Sequence, residues 1–259
     1  MIYARVAAVA ALLMGSMSLS AQGTFGIRGR TWWADPDGDI EFEDNPPDAN
    51  NLDVTSDLGL GDPKIFYNIT GYLVPTPAMR FSLDYLRGGY NESATAPRPV
   101  IFDKSVFPAG TRVKSDFDIQ RFELFMDQPI WQGGGDGGVY SSFGFIWADV
   151  DVRLSGPVGG SSDSVDGIFP IAGFHADIPL FGYFRGIGRI AYTQMKIGKT
   201  AINSFELEGG VSVLFGGSYG VEAGYRLWRM DLFNEAGSLE SREVDMTLSG
   251  PFLGVTLLF

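Results

Sequence analysis

Apolar and polar residues alternate with a period of two along most of the chain after residue 22. In residues 24–34, for example, Ile27 and Trp33 fall on one face of an extended chain, while Arg28 and Arg30 fall on the other. A period of two is that of a β-strand, and clusters of Gly, Pro, Asn and Asp separate the alternating segments. The pattern predicts ten strands, at residues 24–34, 64–74, 79–91, 111–127, 139–154, 168–178, 184–197, 204–215, 219–232 and 242–259.

The connections between these strands alternate in length. Those at one end span 35–63, 92–110, 155–167, 198–203 and 233–241, and most are longer than those at the other end, 75–78, 128–138, 179–183 and 216–218. An even strand count with short turns at one end and long loops at the other is typical of a transmembrane, antiparallel, up-and-down β-barrel. We therefore predict an all-β barrel of about ten strands. Eight or twelve strands stay open, depending on how 198–203 and 100–110 pair.

Ionisable residues repeat on the strand face opposite the apolar one. A charge that faces the middle of a bilayer costs about 2–4 kcal/mol, so this face is predicted to line a polar lumen. The predicted lumen network consists of Arg28, Arg30, Arg80, Asp84, Arg121, Glu123, His175, Asp177, Arg185, Arg189, Glu206, Glu208, Glu222 and Arg226.

Two predicted strands do not keep one apolar face throughout. In residues 111–127 the apolar positions change parity near Gln120 and Arg121, which predicts a β-bulge there. In residues 139–154, Phe145 shares a face with Asp149, so the alternation does not assign a lipid face to that strand.

The first residues have the order of a bacterial signal peptide. Arg5 precedes the apolar run 6–14, which is followed by small residues up to Ala21. This order predicts export, cleavage near Ala21 and a bacterial outer-membrane location for the remaining barrel domain, 22–259.

Composition excludes several classes of protein. The 259-residue chain has no cysteine, which excludes a disulfide scaffold or a cysteine-based zinc site. Its formal net charge of -12 opposes binding to the phosphates of nucleic acid. We expect a monomer without a nucleic-acid partner, in contact with outer-membrane lipid and lipopolysaccharide.

The predicted outer loop 35–63 is strongly acidic, and it contains no Lys or Arg. Carboxylate oxygens are the ligands that Ca²⁺ prefers, so weak calcium binding, or bridging to the cations of surface lipopolysaccharide, is one hypothesis for it. No other cofactor is expected. The candidate ligands are Asp35, Asp37, Asp39, Glu41 and Glu43.

The C-terminal segment 250–259 ends in an aromatic residue preceded by apolar residues at alternate positions. It resembles the C-terminal β-signal of bacterial outer-membrane barrels, of the general kind that includes the OmpA transmembrane domain and OmpW-type barrels. The resemblance implies that the barrel-assembly machinery recognises the segment. The residues that carry it are Leu253, Val255, Leu257 and Phe259.

Candidate catalytic residues are few, since His175 is the one histidine of the sequence. His175 and Asp177, with Asp149 and Asp151, supply the residue types of the omptin proteases, which are similar ten-stranded barrels. Their predicted strand positions lie too far apart for proton transfer. We expect no enzymatic activity. The predicted role is structural or in surface interactions, with a narrow passive pore or an omptin-like hydrolase as the alternatives.

Overall fold

The computed structural model describes residues 24–43, 51–102, 105–132, 137–157, 159–216, 218–235 and 241–259. The predicted signal peptide lies outside these ranges. In the described part of the chain, no helix is long and apolar enough to cross a membrane. The strands are β1 (Thr24–Glu43), β2 (Leu52–Asp53), β3 (Lys64–Thr76), β4 (Met79–Thr95), β5 (Val100–Phe102), β6 (Ser105–Phe107), β7 (Arg112–Gln132), β8 (Gly138–Gly156), β9 (Gly159–Phe181), β10 (Phe184–Ile197), β11 (Thr200–Phe215), β12 (Tyr219–Glu235) and β13 (Ser241–Leu258).

Ten long strands form a closed antiparallel barrel. Each pairs with its neighbours in chain order, and β13 pairs with β1 to close the ring. Beside this closure, the Phe25 N–H donates to the Phe259 carbonyl (3.2 Å) and the Phe259 N–H donates to the Phe25 carbonyl (2.8 Å). The predicted all-β barrel and its ten strands are confirmed. We call the end that holds Phe25 and Phe259 the inner end, and the opposite end the outer end.

Several strands continue farther toward the outer end than the sequence predicted. β1 runs on to Glu43, and its residues 35–43 pair with β13, from Asp35 opposite Ser249 to Glu43 opposite Ser241. β8 and β9 pair up to Gly156 and Gly159, where we predicted a connection over 155–167. The predicted loop boundaries are therefore wrong at 35–43 and at 159–167. Polar residues at alternate positions fit a strand there because their face meets water.

The outward and inward faces of the barrel wall each change between apolar and polar residues along the strands. On β8, Phe143 and Phe145 point outward and are exposed near the inner end. Asp149 and Asp151 point outward on the same face farther along, and Trp147 lies between the two groups. The inward face changes in the opposite sense, because β8 places buried Val150, Val152 and Leu154 inside its outer half. The inner half is thus apolar outside and polar inside, and the outer half is the reverse.

This exchange also corrects the β-bulge predicted near Gln120 and Arg121. Ile119, Arg121 and Glu123 all point inward, and the pairing of β7 with β4 and β8 is regular at these positions. The register shift of β7 against β8 lies instead between Pro129 and Trp131. What changes near Gln120 is the solvent on each side of the wall, while the parity of the strand is kept.

Two outer segments fold into the outer half of the barrel. Residues 51–60 pair briefly with β1 through β2 and bury Val54, Leu58 and Leu60. The hairpin of β5 and β6 forms a separate two-stranded sheet, and it buries Val100, Phe102 and Phe107. These side chains complete an apolar core inside the outer half.

Candidate functional site

The middle of the barrel is filled by a layer of buried ion pairs. Arg121 of β7 donates through Nη1 to Oε2 of Glu206 on β11, at 2.7 Å. Arg226 of β12 approaches Oε1 of the same carboxylate at 3.0 Å, and Arg189 of β10 pairs with Glu123 of β7. Their inward positions follow from the period of two on each strand. These pairs join β7 to β10 and β11, and β11 to β12. The layer therefore links strands on different sides of the barrel.

A second group of ion pairs lies beside this layer on β1, β11 and β12. Arg30 donates through Nη1 to Oε2 of Glu208 at 2.8 Å and through Nε to Glu222. Arg28 contacts Oε2 of Glu222 at 3.3 Å. Each carboxylate in the group thus lies against a guanidinium, which offsets the cost of burying charge.

A third polar group lies nearer the inner end. Asp127 accepts from Ser142 Oγ at 2.6 Å and contacts Arg80 Nε at 3.2 Å. His175 Nδ1 lies 3.7 Å from Oδ2 of Asp127, and its ring is stacked on Tyr140 at a centroid distance of 4.4 Å. Around this group lies a cavity of about 60 Å³, a volume that accommodates water molecules.

The remaining two acids predicted for the lumen also have inward partners. Asp84 accepts hydrogen bonds from Thr70 Oγ1 (2.7 Å) and Asn68 Nδ2 (2.8 Å). Arg185 donates through Nε to Asp177 at 2.6 Å. The structure therefore places all fourteen residues of the predicted network on the inward face, and it joins them into several contacting groups.

Aromatic residues separate the charged layer from the apolar core of the outer half. The Arg121 guanidinium lies 4.5 Å from the Trp228 ring centroid, and the Arg226 guanidinium lies 5.1 Å from that of Trp32. Both indoles are about 1% exposed. A cation over an aromatic face is attracted by the ring quadrupole, so the rings stabilise the layer as well as cover it.

Three further members of this site were not predicted from the sequence: Asp127, Trp32 and Trp228. Asp127 has the parity of Arg121 and Glu123, so the period of two alone was a sufficient signal for it. The two tryptophans carry the same parity signal, since Trp32 is at the alternate position after Arg30 and Trp228 is at the alternate position after Arg226. An inward tryptophan and a lipid-facing one differ in sequence by parity alone, and parity does not say which solvent each face meets.

Four of the candidate calcium ligands, Asp35, Asp37, Asp39 and Glu41, form a row along the outward face of β1, and position 43 ends the strand. Residues at alternate positions of a strand are about 7 Å apart, so the five positions extend over about 27 Å. In the described ranges, no group of three or more His, Cys, Asp or Glu side chains is close enough to hold a metal ion. The geometry therefore gives no support to one calcium site built from Asp35, Asp37, Asp39, Glu41 and Glu43 together. Weak binding by part of the row stays a prediction.

The four residues compared with an omptin site are not brought together. His175 is opposite Tyr140 of β8, nine residues from Asp149, which is about 30 Å along the strand. His175 also points inward, whereas Asp149 and Asp151 point outward. Proton transfer between the two pairs is therefore impossible in this arrangement.

The predicted assembly residues lie on the outward face of β13 and at the residue after it. Leu253, Val255 and Leu257 are each about half exposed, and Phe259 stacks on Phe25 with a centroid distance of 5.9 Å. They form part of an apolar belt around the inner half of the barrel.

Comparison with known proteins identifies the fold of this barrel. No family model and no curated protein matches the sequence. Among solved structures, the outer membrane protease OmpT from Escherichia coli is similar, with a TM-score of 0.58 and 8% identity over 90% of this chain and 97% of that one. The translocator domain of the autotransporter NalP from Neisseria meningitidis has a TM-score of 0.44 and 9% identity over 98% and 97%. Ail from Yersinia pestis has a TM-score of 0.38 and 10% identity over 92% and 99%. The chain thus has the fold of the small outer-membrane β-barrel proteins, as its C-terminal segment predicted, and its subfamily is unassigned.

Proposed function

We propose that this protein is exported to the bacterial outer membrane and acts there as a closed structural and surface-interaction barrel. In this proposal the N-terminal segment 1–21 is a signal peptide that is removed, and the barrel-assembly machinery reads the segment that ends at Phe259. The inner half spans the membrane, since its outward face is apolar around the ring. The outer half stands outside the cell.

The projection of the outer half supports a role at the surface. On β1, the nine residues from Asp35 to Glu43 extend beyond Trp33, which amounts to about 30 Å of strand. Their outward face carries carboxylates and no apolar belt. A wall of this kind is suited to water and to contact with other molecules, and lipid and lipopolysaccharide are its expected neighbours at the base.

The closed interior is the observation that carries the proposal. Arg121, Glu123 and Glu206 are almost without exposure to solvent in the middle of the barrel, and the core of the outer half lies beyond them. A passive pore needs a continuous water-filled path through these layers. The packing of the described residues favours a silent barrel over the alternative of a narrow pore.

A hydrolytic role has less support. The separation of His175 from Asp149 and Asp151 removes the arrangement that suggested an omptin-like reaction. We therefore propose a protein without enzymatic activity, which acts as a monomer. Substitution of His175 by Ala should leave every surface property of the barrel unchanged.

Fractionation and conductance measurements test the proposal. We expect the protein in the outer-membrane fraction, soluble only with detergent, and with a gel mobility that changes on heating. Insertion into a planar bilayer should produce no single-channel steps, with protease protection of the inserted protein as the control for insertion. Recovery without detergent would contradict the membrane location. Steady conductance steps from correctly inserted protein would contradict the closed barrel and support the alternative of a narrow pore.

A further inference from the structure

The barrel wall is not paired up to its outer end between β9 and β10. Their ladder extends from Phe181 opposite Phe184 to Ala172 opposite Tyr192 and ends there. β9 nevertheless begins at Gly159 and stays paired with β8 throughout its outer part. Within the part of the chain that the structure describes, no strand pairs with the other edge of β9 over residues 164–171.

Pro170 explains why the ladder ends. The Thr193 hydroxyl donates to the Pro170 carbonyl at 2.6 Å, so the backbone of residue 170 faces β10. Proline has no N–H to donate to that neighbour. Alternate residues of an antiparallel strand face the same neighbour, so the N–H and C=O groups of Ile168 and Asp166 also face the unpaired side. At Ser164 the N–H donates to the Asp163 carboxylate at 2.8 Å in place of a strand partner.

The edge between Ser164 and Ile168 has little of the usual protection of an edge strand, since Asp166 is its one charged residue. Natural edges are shielded by charged side chains, lysine above all, by proline, by a bulge or by a covering segment. This stretch contains neither lysine nor proline, and its pairing with β8 is regular. The outward side chains of Ser164, Asp166 and Ile168 are exposed, so the outward face along this edge is open to solvent.

The outward face next to this edge is acidic. Asp166 lies directly opposite Asp149 on β8, and Asp151 follows Asp149 on the same face. Asp118 of β7 is in turn opposite Asp151. Arg153 is the one basic residue on the outward faces of β8 and β9. An added strand would therefore place its outward side chains beside a negative surface.

We propose that the edge of β9 from Ser164 to Ile168 is a docking site for an extended, basic segment of another protein. The segment adds to the sheet as a strand, and ladder hydrogen bonds to Asp166 and Ile168 provide affinity. Lysine or arginine at its alternate positions contacts Asp166 and Asp149 and selects this partner over acidic peptides. The inference rests on the proposed function only in placing this edge outside the membrane.

Peptide binding to the whole barrel in detergent tests the site. The probe is a fluorescent peptide of about ten residues that alternates lysine with valine or threonine, and the matched probe has glutamate in place of lysine. We expect anisotropy to show binding of the lysine peptide, weakened by salt, and none of the glutamate peptide. Asp166→Pro removes the charge and the N–H, whereas the control Asp166→Asn removes the charge alone.

The two variants distinguish strand addition from simple attraction of charge. We expect Asp166→Asn to weaken binding a few-fold and Asp166→Pro to weaken it at least about tenfold more, because the ladder is broken. The heat-dependent gel shift shows that both variants are folded. If Asp166→Pro is not folded, amide exchange of residues 164–168 in the wild-type barrel decides, since strand addition slows it.

Equal binding by both variants, or no binding of the lysine peptide, would overturn the proposal. So would a dimer that forms through this edge and is not displaced by the peptide, because a second copy would then be the occupant. The result is distinguishable from that of the proposed function. If the barrel does not conduct and does not bind the peptide, only this inference is overturned. If the barrel conducts and binds the peptide, only the proposed closed barrel is overturned.

Discussion

Arg121 and Glu206 form a hydrogen bond of 2.7 Å in the middle of the barrel, and both side chains are shielded from solvent. Glu206 also faces Arg189 and Arg226, so one carboxylate compensates part of the charge of three guanidinium groups. Removal of one partner from a buried ion pair leaves the other charge uncompensated.

The substitution Glu206→Ala should therefore destabilise the barrel by about 3–5 kcal/mol. The measurement is the free energy of unfolding from reversible urea unfolding in lipid vesicles. Glu235→Ala is the matched control, because Glu235 pairs with Lys196 at 3.1 Å on the exposed surface. Its loss should cost less than about 1 kcal/mol. Similar losses in the two variants would show that the central layer does not hold the barrel together.

Arginine substitutions on β8 test where the membrane ends. Phe143 and Asp151 point outward on the same strand, but Phe143 lies in the apolar belt and Asp151 lies beyond Trp147. Phe143→Arg should cost about 2–4 kcal/mol relative to Phe143→Leu, because the charge faces lipid. Asp151→Arg should cost less than about 1 kcal/mol, since its side chain meets water. Folding into vesicles measures both, and equal costs would move the membrane boundary away from Trp147.

The strands and the face on which each residue lies could be predicted from the sequence, but the position of the membrane could not. The ten strands and the inward position of residues such as Arg121 follow from a period of two, which is a local property of the chain. Parity separates the two faces of a strand, but it does not name the solvent on each. The same outward face of β8 carries Phe145 and Asp149 because it leaves lipid for water between them. The alternation could therefore predict strands but not where membrane gives way to water.

Long-range packing limited the remaining predictions. Residues 35–43 look like an acidic loop because nothing local indicates that β13 continues beside them to Ser241. Leu58 and Phe102 are buried by other segments of the outer half, and contacts of that kind leave no periodic signal. Pro170, in contrast, is a local signal of a strand edge. That β10 stops pairing with β9 there could be seen only from the register of the two strands.

The contact between Asp57 and Arg98 joins two outer segments, and we call it the clamp. It should keep the apolar core of the outer half ordered. Asp57 is buried and accepts hydrogen bonds from Arg98, which also donates to the Asn51 carbonyl at 2.6 Å. Asp57→Asn should weaken this contact by about 1–3 kcal/mol, which increases amide exchange over residues 54–60. Mass spectrometry of hydrogen exchange measures it.

Asp118→Asn is the control for the clamp, since its partner Arg87 lies on the exposed outer wall. Exchange over residues 54–60 should be unchanged in that variant. Unchanged exchange in Asp57→Asn would instead show that apolar burial of Leu58 and Leu60 is sufficient to hold the segment.

The carboxylates of the outer wall should make stability depend on pH. Burial, with the nearby Asp151 and Asp166, raises the pKa of Asp149 from 3.8 to about 6. The folded state therefore binds this proton more tightly than the unfolded state does. Stability from this group is fully present below about pH 4, decreases as the pH rises toward 6, and is lost above it.

Asp149→Asn removes this titration and should separate it from other effects of pH. The variant should melt at a higher temperature than the wild type at pH 7, and the difference should shrink toward zero at pH 4. Thermal unfolding followed by circular dichroism across this range provides the measurement. A pH-independent difference for Asp149→Asn would mean that folding does not raise the pKa of Asp149, so its neighbours on the outer wall do not oppose its charge.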